Sequence, residues 1–165
     1  MLPVIKRYNP DAKISWLIFE HNQAIVANHP LIDEVFIWHR HGNLLRGIWG
    51  LIKKLRSRKF DAVIDVQGLL RSAVIAWLTG CKRRIGFANA REMATLFYTE
   101  KYNIPTLTMH AVDGYLALCE ALGMTKLKEV VFPLPIKSQH QQKITALLGE
   151  QQLVITICPT ARWRT

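Results

Sequence analysis

The chain has 165 residues, half of them hydrophobic, and a formal net charge of +10 with a pI near 9.9. That length holds one domain with a real core, and the composition excludes an intrinsically disordered chain. No apolar run approaches the ~18 residues of a membrane span, the N-terminus lacks the basic-then-apolar order of a signal peptide, and the widely spaced Cys81, Cys119 and Cys158 argue against a disulfide framework or a zinc knuckle.

Residues 1–10 read as the end of a helix, 13–19 as a strand, 20–27 as a short helix stopped near Asn28-His29-Pro30, and 35–38 as a second strand. Residues 42–59 predict an amphipathic helix. Its Leu44, Leu45, Ile48, Leu51, Ile52 and Leu55 share one face, with Arg46, Lys53 and Lys54 opposite. A third strand is expected over 60–66, buried on both faces, and then a helix over 69–78 closed by Gly80. Next come a strand at 83–87, a short helix or turn at 91–98, and a helix at 110–122 with Val112, Tyr115, Leu116, Cys119 and Leu122 on one stripe. Residues 130–132 read as extended, Ser138 with Gln141 as a capping box for a helix ending near Gly149, and 153–157 as a last strand. Strands alternating with helices give an α/β class: a mostly parallel sheet with helices on both faces.

The excess of base predicts a polyanionic partner: nucleic acid, an anionic membrane or a phosphorylated substrate. The basic residues are scattered and form no recognised nucleic-acid motif, which sets nucleic acid last. A cytoplasmic location is the default reading.

Polar residues at the carboxyl ends of strands are the candidates for chemistry, because open α/β sheets bind ligands there. Asp65-Val-Gln67-Gly68 has two readings. In one it is a ligand-facing edge where Asp65 and Gln67 offer hydrogen bonds and Gly68 permits close approach; in the other it is a helix start whose polar residue caps backbone N–H groups. Arg71, in the first turn of the next helix, can add a charge-assisted bond to a phosphate or carboxylate, or can be a solvated surface arginine. Arg91 can reinforce anion binding at a helix start, or Asn89 can cap that start with Arg91-Glu92 as surface charge. His110 can bind an anion or move a proton, or can cap the helix it opens. Trp38-His39-Arg40-His41 reads as a basic loop with no third metal ligand. Pro159-Thr160-Ala161-Arg162 after the last strand suits a diphosphate.

Taken in order, Phe60-Asp-Ala-Val-Ile-Asp-Val-Gln-Gly-Leu69, Ile85-Gly-Phe87, Ala90-Arg-Glu92, His110-Ala-Val-Asp113 and Pro159-Thr-Ala-Arg-Trp-Arg-Thr165 resemble the lipopolysaccharide heptosyltransferases of glycosyltransferase family 9. The likeness runs from about Leu2 to Thr165, and the Ala90-Arg91-Glu92 and Leu96-Phe97-Tyr98 region is most similar to the heptosyltransferase I type. The resemblance implies a GT-B enzyme, with residues 1–150 as the acceptor-side Rossmann-like domain and 151–165 as the start of the donor-binding domain. It implies inverting transfer of heptose from ADP-heptose to the anionic Kdo–lipid A inner core of lipopolysaccharide. Neither a metal nor a cofactor is expected, and the enzyme would work in the cytoplasm with peripheral contact to the anionic inner membrane. Carried over residue by residue, Arg40, Gln67, Arg71, Ser72, Arg91 and His110 would line the acceptor side, and Thr160 and Arg162 would touch the donor diphosphate.

The chain departs from the family pattern in three ways. The catalytic carboxylate is expected in a loop after a first strand that this chain does not contain, so no catalytic residue is assigned and Asp61 and Asp65 do not replace it. Nearly all of the donor domain is absent, and Gly114 stands where relatives often carry a basic residue. The expectation is a chain truncated at both ends and inactive alone. The alternative is a non-catalytic module that holds an anionic glycolipid or membrane surface.

Overall fold

The computed structural model describes residues 1–39, 44–105, 108–125, 132–133, 136 and 138–149, without the side chains of 44–46. In chain order the elements are α1 (Leu2–Tyr8), β1 (Ser15–Phe19), α2 (Gln23–Val26), β2 (Glu34–Trp38), α3 (Leu44–Ser57), β3 (Val63–Asp65), α4 (Leu70–Leu78), β4 (Arg84–Phe87), β5 (Glu100–Tyr102), α5 (Ala111–Ala121) and α6 (Ser138–Leu148). Short 3-10 turns stand at Glu20–Asn22 and Ala94–Phe97.

Among the described residues all pairing is parallel. β1 pairs with β2, Ser15 opposite Glu34 through Phe19 opposite Trp38. β4 lies between β3 and β5, with Ile64 opposite Ile85 and Gly86 opposite Lys101. No ladder joins β1 to β3, so among the described residues each has one unpartnered edge. A doubly wound sheet runs in the order 3-2-1-4-5-6. Here the described strands form two parallel ladders, β2-β1 and β3-β4-β5.

Two apolar layers cover the strands. In one, Leu51, Ile52 and Leu55 of α3 pack with Phe36 of β2 and Ile75 of α4, joined by Leu17 and Phe60. In the other, Leu118 of α5 packs on Ile85 and Phe87 of β4, while Val4 of α1 packs on Leu116 and Cys119. Alternation along β4 explains the split: Ile85 and Phe87 point to α5, and Gly86 points to the opposite face. There the Tyr98 ring occupies the place of a side chain, so any Cβ at Gly86 would overlap it. Helices on both faces of parallel strands are the expected α/β architecture.

The elements differ from expectation in particular places. β3 is three residues long rather than the span 60–66, because Lys59 turns the backbone at φ 50° and Phe60 joins the α3 core, edge-on to Phe36. β5 is an additional strand; its Glu-Lys-Tyr sequence is too short and polar to announce one. Ser138 falls inside α6 rather than before it, so the cap position lies outside the described residues. So do 153–157 and, apart from Phe132, the segment 130–132.

Candidate functional site

The carboxyl ends of β3 and β4 meet the start of α5 around a cleft of about 410 Å³. Val66, Gln67, Gly68 and Leu69 line it from the turn after β3, Phe87, Asn89, Ala90 and Arg91 from the turn after β4, and Met109, His110, Gly114 and Tyr115 from α5.

The turn after β3 is built on Asp65. Its buried carboxylate accepts the Gln67 N–H (2.9 Å) and the Gly68 N–H (3.2 Å) on Oδ1, and the Tyr98 hydroxyl on Oδ2 (2.6 Å). Asp65 is therefore a capping residue held from both sides, which resolves its two sequence readings: the carboxylate faces the protein and not the cleft. Tyr98 remains protonated, because burial and the bond to Asp65 push its phenol well above the ordinary value. Gly68 adopts φ +66°, a left-handed conformation suited to glycine, and a Cβ there would meet Ala90 at 3.4 Å. The Gly68 carbonyl accepts the Arg91 N–H (2.9 Å), so the turn after β4 is fastened to the turn after β3. Together these bonds place Gln67 and Arg91, both exposed, on one rim.

His110 is the N-cap of α5, and its Nδ1 accepts the Val112 N–H (3.3 Å). With Nδ1 as acceptor, the neutral ring carries its proton on Nε2, leaving that edge as a donor at an exposed position of the cleft. The capping reading thus holds, and it fixes the ring without excluding a ligand bond. Asn89 does not cap a helix; its Nδ2 donates to the Ile104 carbonyl (3.2 Å) from the cleft wall.

Three residues expected at the acceptor side thus meet in one cleft: Gln67, Arg91 and His110. Two others do not line it. The Ser72 hydroxyl donates to the Leu69 carbonyl (2.9 Å) and accepts the Leu69 N–H (3.3 Å), closing the first turn of α4. The Arg71 guanidinium lies over the Phe19 ring, 5.5 Å from its centroid, at the end of β1. Arg40, Thr160 and Arg162 lie outside the described residues. Sequence reasoning passed over the apolar wall, Phe87, Met109 and Tyr115, because such residues read as core. It also missed Tyr98, whose link to Asp65 spans 33 residues. Among the described residues no cluster of His, Cys, Asp or Glu could hold a metal ion.

Electrostatically the cleft carries Arg91 with no acidic residue among the described residues of its lining, and the N-terminus of α5 opens onto it. Exposed N–H groups and the positive end of the helix favour an anion, while Gln67 and His110 supply hydrogen bonds of the kind sugar hydroxyls take.

Comparison with known proteins places this geometry. The chain is 26% identical over 124 residues to the lipopolysaccharide core heptosyltransferase OpsX of Haemophilus influenzae, covering 74% of this chain and 35% of that protein. It is 32% identical over 118 residues to lipopolysaccharide heptosyltransferase 1 of Pseudomonas aeruginosa, covering 63% and 32%. Among solved structures, a family 9 glycosyl transferase from Veillonella parvula superposes with a TM-score of 0.76 at 23% identity, over 92% of this chain and 44% of that one. The E. coli heptosyltransferase WaaC, solved with ADP-2-deoxy-2-fluoro heptose, superposes with a TM-score of 0.67 at 25% identity, over 78% and 45%. This chain therefore spans less than half the length of these relatives, and its fold is the Rossmann-like α/β domain of the GT-B class. The family model for glycosyltransferase family 9 (heptosyltransferase) matches residues 48–165, and the chain belongs to that family.

Proposed function

We propose that this chain is the acceptor-side part of an inverting heptosyltransferase that moves heptose from ADP-heptose to the Kdo–lipid A inner core of lipopolysaccharide. The observation that carries the reading is the convergence of Gln67, Arg91 and His110 on one cleft at the carboxyl ends of β3 and β4 in a family 9 chain. Kdo is an acidic sugar. Arg91 would pair with its carboxylate, the α5 N-terminus would add its partial positive charge, and Gln67 with His110 Nε2 would bond its hydroxyls. The acceptor would meet this cleft at the cytoplasmic face of the inner membrane.

The donor half of the reaction rests on residues outside those described. Thr160 and Arg162 are proposed for the ADP diphosphate, with no metal. A general base must reach the acceptor hydroxyl within hydrogen-bond distance. Among the described residues no carboxylate lines the cleft, and Asp65 is held by Tyr98 and the Gln67-Gly68 turn. The base is therefore proposed to come from a segment beyond this chain, and the 165-residue chain alone to be inactive.

Titration of the chain with a soluble Kdo disaccharide, followed by calorimetry, tests the binding half. Arg91→Ala is expected to weaken binding about tenfold, the loss of one charge-assisted contact. Absence of binding by the native chain defeats the acceptor assignment. ADP release from ADP-heptose by the chain alone defeats the proposed inactivity.

A further inference from the structure

The turn after β4 leaves the cleft and runs straight onto an exposed apolar ridge. Glu92 and Met93 adopt consecutive left-handed conformations, φ 55° and 60°. Such backbone is disfavoured for side-chain-bearing residues and persists where surrounding contacts impose it. Here the Glu92 carboxylate accepts the Leu70 N–H at the start of α4 (3.2 Å), and Arg91 is tied to Gly68, so the pair is clamped at both ends. The outcome is Met93 projecting from the surface, followed by the 3-10 turn that carries Leu96 and Phe97.

That turn packs along α4 through Ala73, Ala94 and Tyr98, and outside this buried seam the Trp77 ring meets Phe97 edge-on at 6.1 Å. Leu70 and Trp77 are seven residues apart on α4 and share a stripe. Exposures of 41% for Leu70, 52% for Trp77, 69% for Met93 and 68% for Leu96 show that neither element covers the other's outer apolar groups. A contiguous exposed patch of this kind marks a docking surface.

Charge selects the occupant. At the cleft end the ridge is flanked by Arg71 and Arg91, and at the other end by Lys82 and by Arg56, which reaches across from α3 to the Leu78 carbonyl (3.3 Å). α3, which Arg56 joins to this end, also carries exposed Lys53 and Lys54, and the Glu92 carboxylate beside Met93 is bonded to the Leu70 N–H. Apolar side chains with a tryptophan, bordered by cations, are the composition that seats in the headgroup zone of an anionic bilayer.

We propose that the ridge formed by Leu70, Trp77, Met93 and Leu96 docks this protein on an anionic lipid bilayer, with Trp77 at the headgroup level. Leu69 and Arg91 line the cleft while Leu70 and Met93 begin the ridge, so a lipid-linked sugar would pass from the bilayer into the cleft over a single turn. That last clause rests on the acceptor assignment; the docking surface itself does not.

The 165-residue chain is mixed with vesicles of phosphatidylglycerol and phosphatidylethanolamine, and with phosphatidylcholine vesicles as the neutral arm. Sedimentation with the anionic vesicles is expected, and little with the neutral ones. The double variant Trp77→Ser/Leu96→Ser changes two outward-facing side chains; with an unchanged far-ultraviolet circular dichroism spectrum it should partition about tenfold more weakly at the same salt concentration. With brominated acyl chains, tryptophan emission should be quenched in the native chain and in Trp49→Phe, and much less in Trp77→Phe. Four results overturn the proposal. These are no binding to anionic vesicles, equal partitioning of the double variant, quenching that survives Trp77→Phe, and a lipid-free dimer in light scattering that Leu96→Ser dissolves, which would make a second copy the occupant. Binding lost only on Lys53→Glu/Lys54→Glu gives equal partitioning of the double variant and so counts against the ridge. The soluble Kdo titration fails or succeeds independently of every vesicle result, so the two proposals are separable.

Discussion

Replacing Tyr98 with phenylalanine removes one oxygen and leaves Asp65 Oδ2 buried without its 2.6 Å donor. An orphaned buried acceptor of this kind costs about 1–3 kcal/mol, more where it is charged. The Tyr98→Phe chain should melt at lower temperature. Because Asp65 also holds the Gln67 and Gly68 N–H groups, amide exchange in that turn should quicken more than in α3, a distant element. Uniform destabilisation with no local change at 67–68 would show that the bond supports the core alone. This tie was invisible in the sequence. Asp65 before Gln67-Gly68 reads equally as a ligand group or as a cap, and only the tyrosine folded back from beyond β4 decides between them.

Helix α5 rests on an imidazole for its cap, an unusual choice beside Ser, Thr, Asp or Asn. His110→Ala should cost about 1 kcal/mol by loss of the Val112 N–H acceptor, while His110→Asn restores an acceptor and recovers most of that stability. Under the acceptor assignment both variants lose the Nε2 donor, so both should bind the Kdo disaccharide more weakly. Thermal melting with parallel calorimetry separates the cap from the ligand contact. Recovery of binding as well as stability in the asparagine variant would show that capping is the whole role of His110. The helices were the legible elements. α3 and α5 follow the 3.6 period, and Gly80 and Gly123 close their helices with φ of +76° and +83°. Strand ends were less legible: a two-residue period over three residues, as in β3 and β5, is too short to fix a boundary.

Across the whole molecule, acid should loosen the strand layer from several points at once. Glu34, the first residue of β2, is held by Arg58 after α3, through a paired contact at 2.8 and 2.6 Å. Glu100 of β5 is held by Arg83 ahead of β4 at 2.6 and 3.1 Å. Asp33 accepts the Ile14 N–H (2.7 Å) and then Lys6 (3.0 Å). Each partner, named in that order, holds its carboxyl below the ordinary range. A carboxyl that ionises at lower pH when folded than when unfolded stabilises the fold above its unfolded value, and that stabilisation fades as pH falls through the folded one. The melting temperature should therefore drop as pH falls from about 4.5 to 3. Glu100→Gln should flatten the slope, and the effect should be modest because these pairs are exposed. An unchanged slope in Glu100→Gln would remove that pair from the account. At this scale the sequence conveyed the α/β class and the parallel pairing, since alternation of strand and helix dictates both. It conveyed the site only in outline. Gln67, Arg91 and His110 stand at strand and helix ends where ligands gather, whereas Arg71 and Ser72 stand at similar ends and are engaged by Phe19 and Leu69.

The break between β1 and β3 bears on how the chain behaves at high concentration. Among the described residues β1 and β3 each have one edge without a ladder partner, and each such edge carries N–H and C=O groups that a strand would satisfy. Natural sheets shield such edges with lysine, proline or a bulge; Ser15-Trp-Leu-Ile-Phe19 and Val63-Ile-Asp65 carry none of these on the strand itself. Each such edge is thus a template for an extended apolar segment. The lifetime of the isolated chain in solution should then fall with the rate at which a neighbour finds such an edge, a rate that rises with concentration even where thermal stability is unchanged.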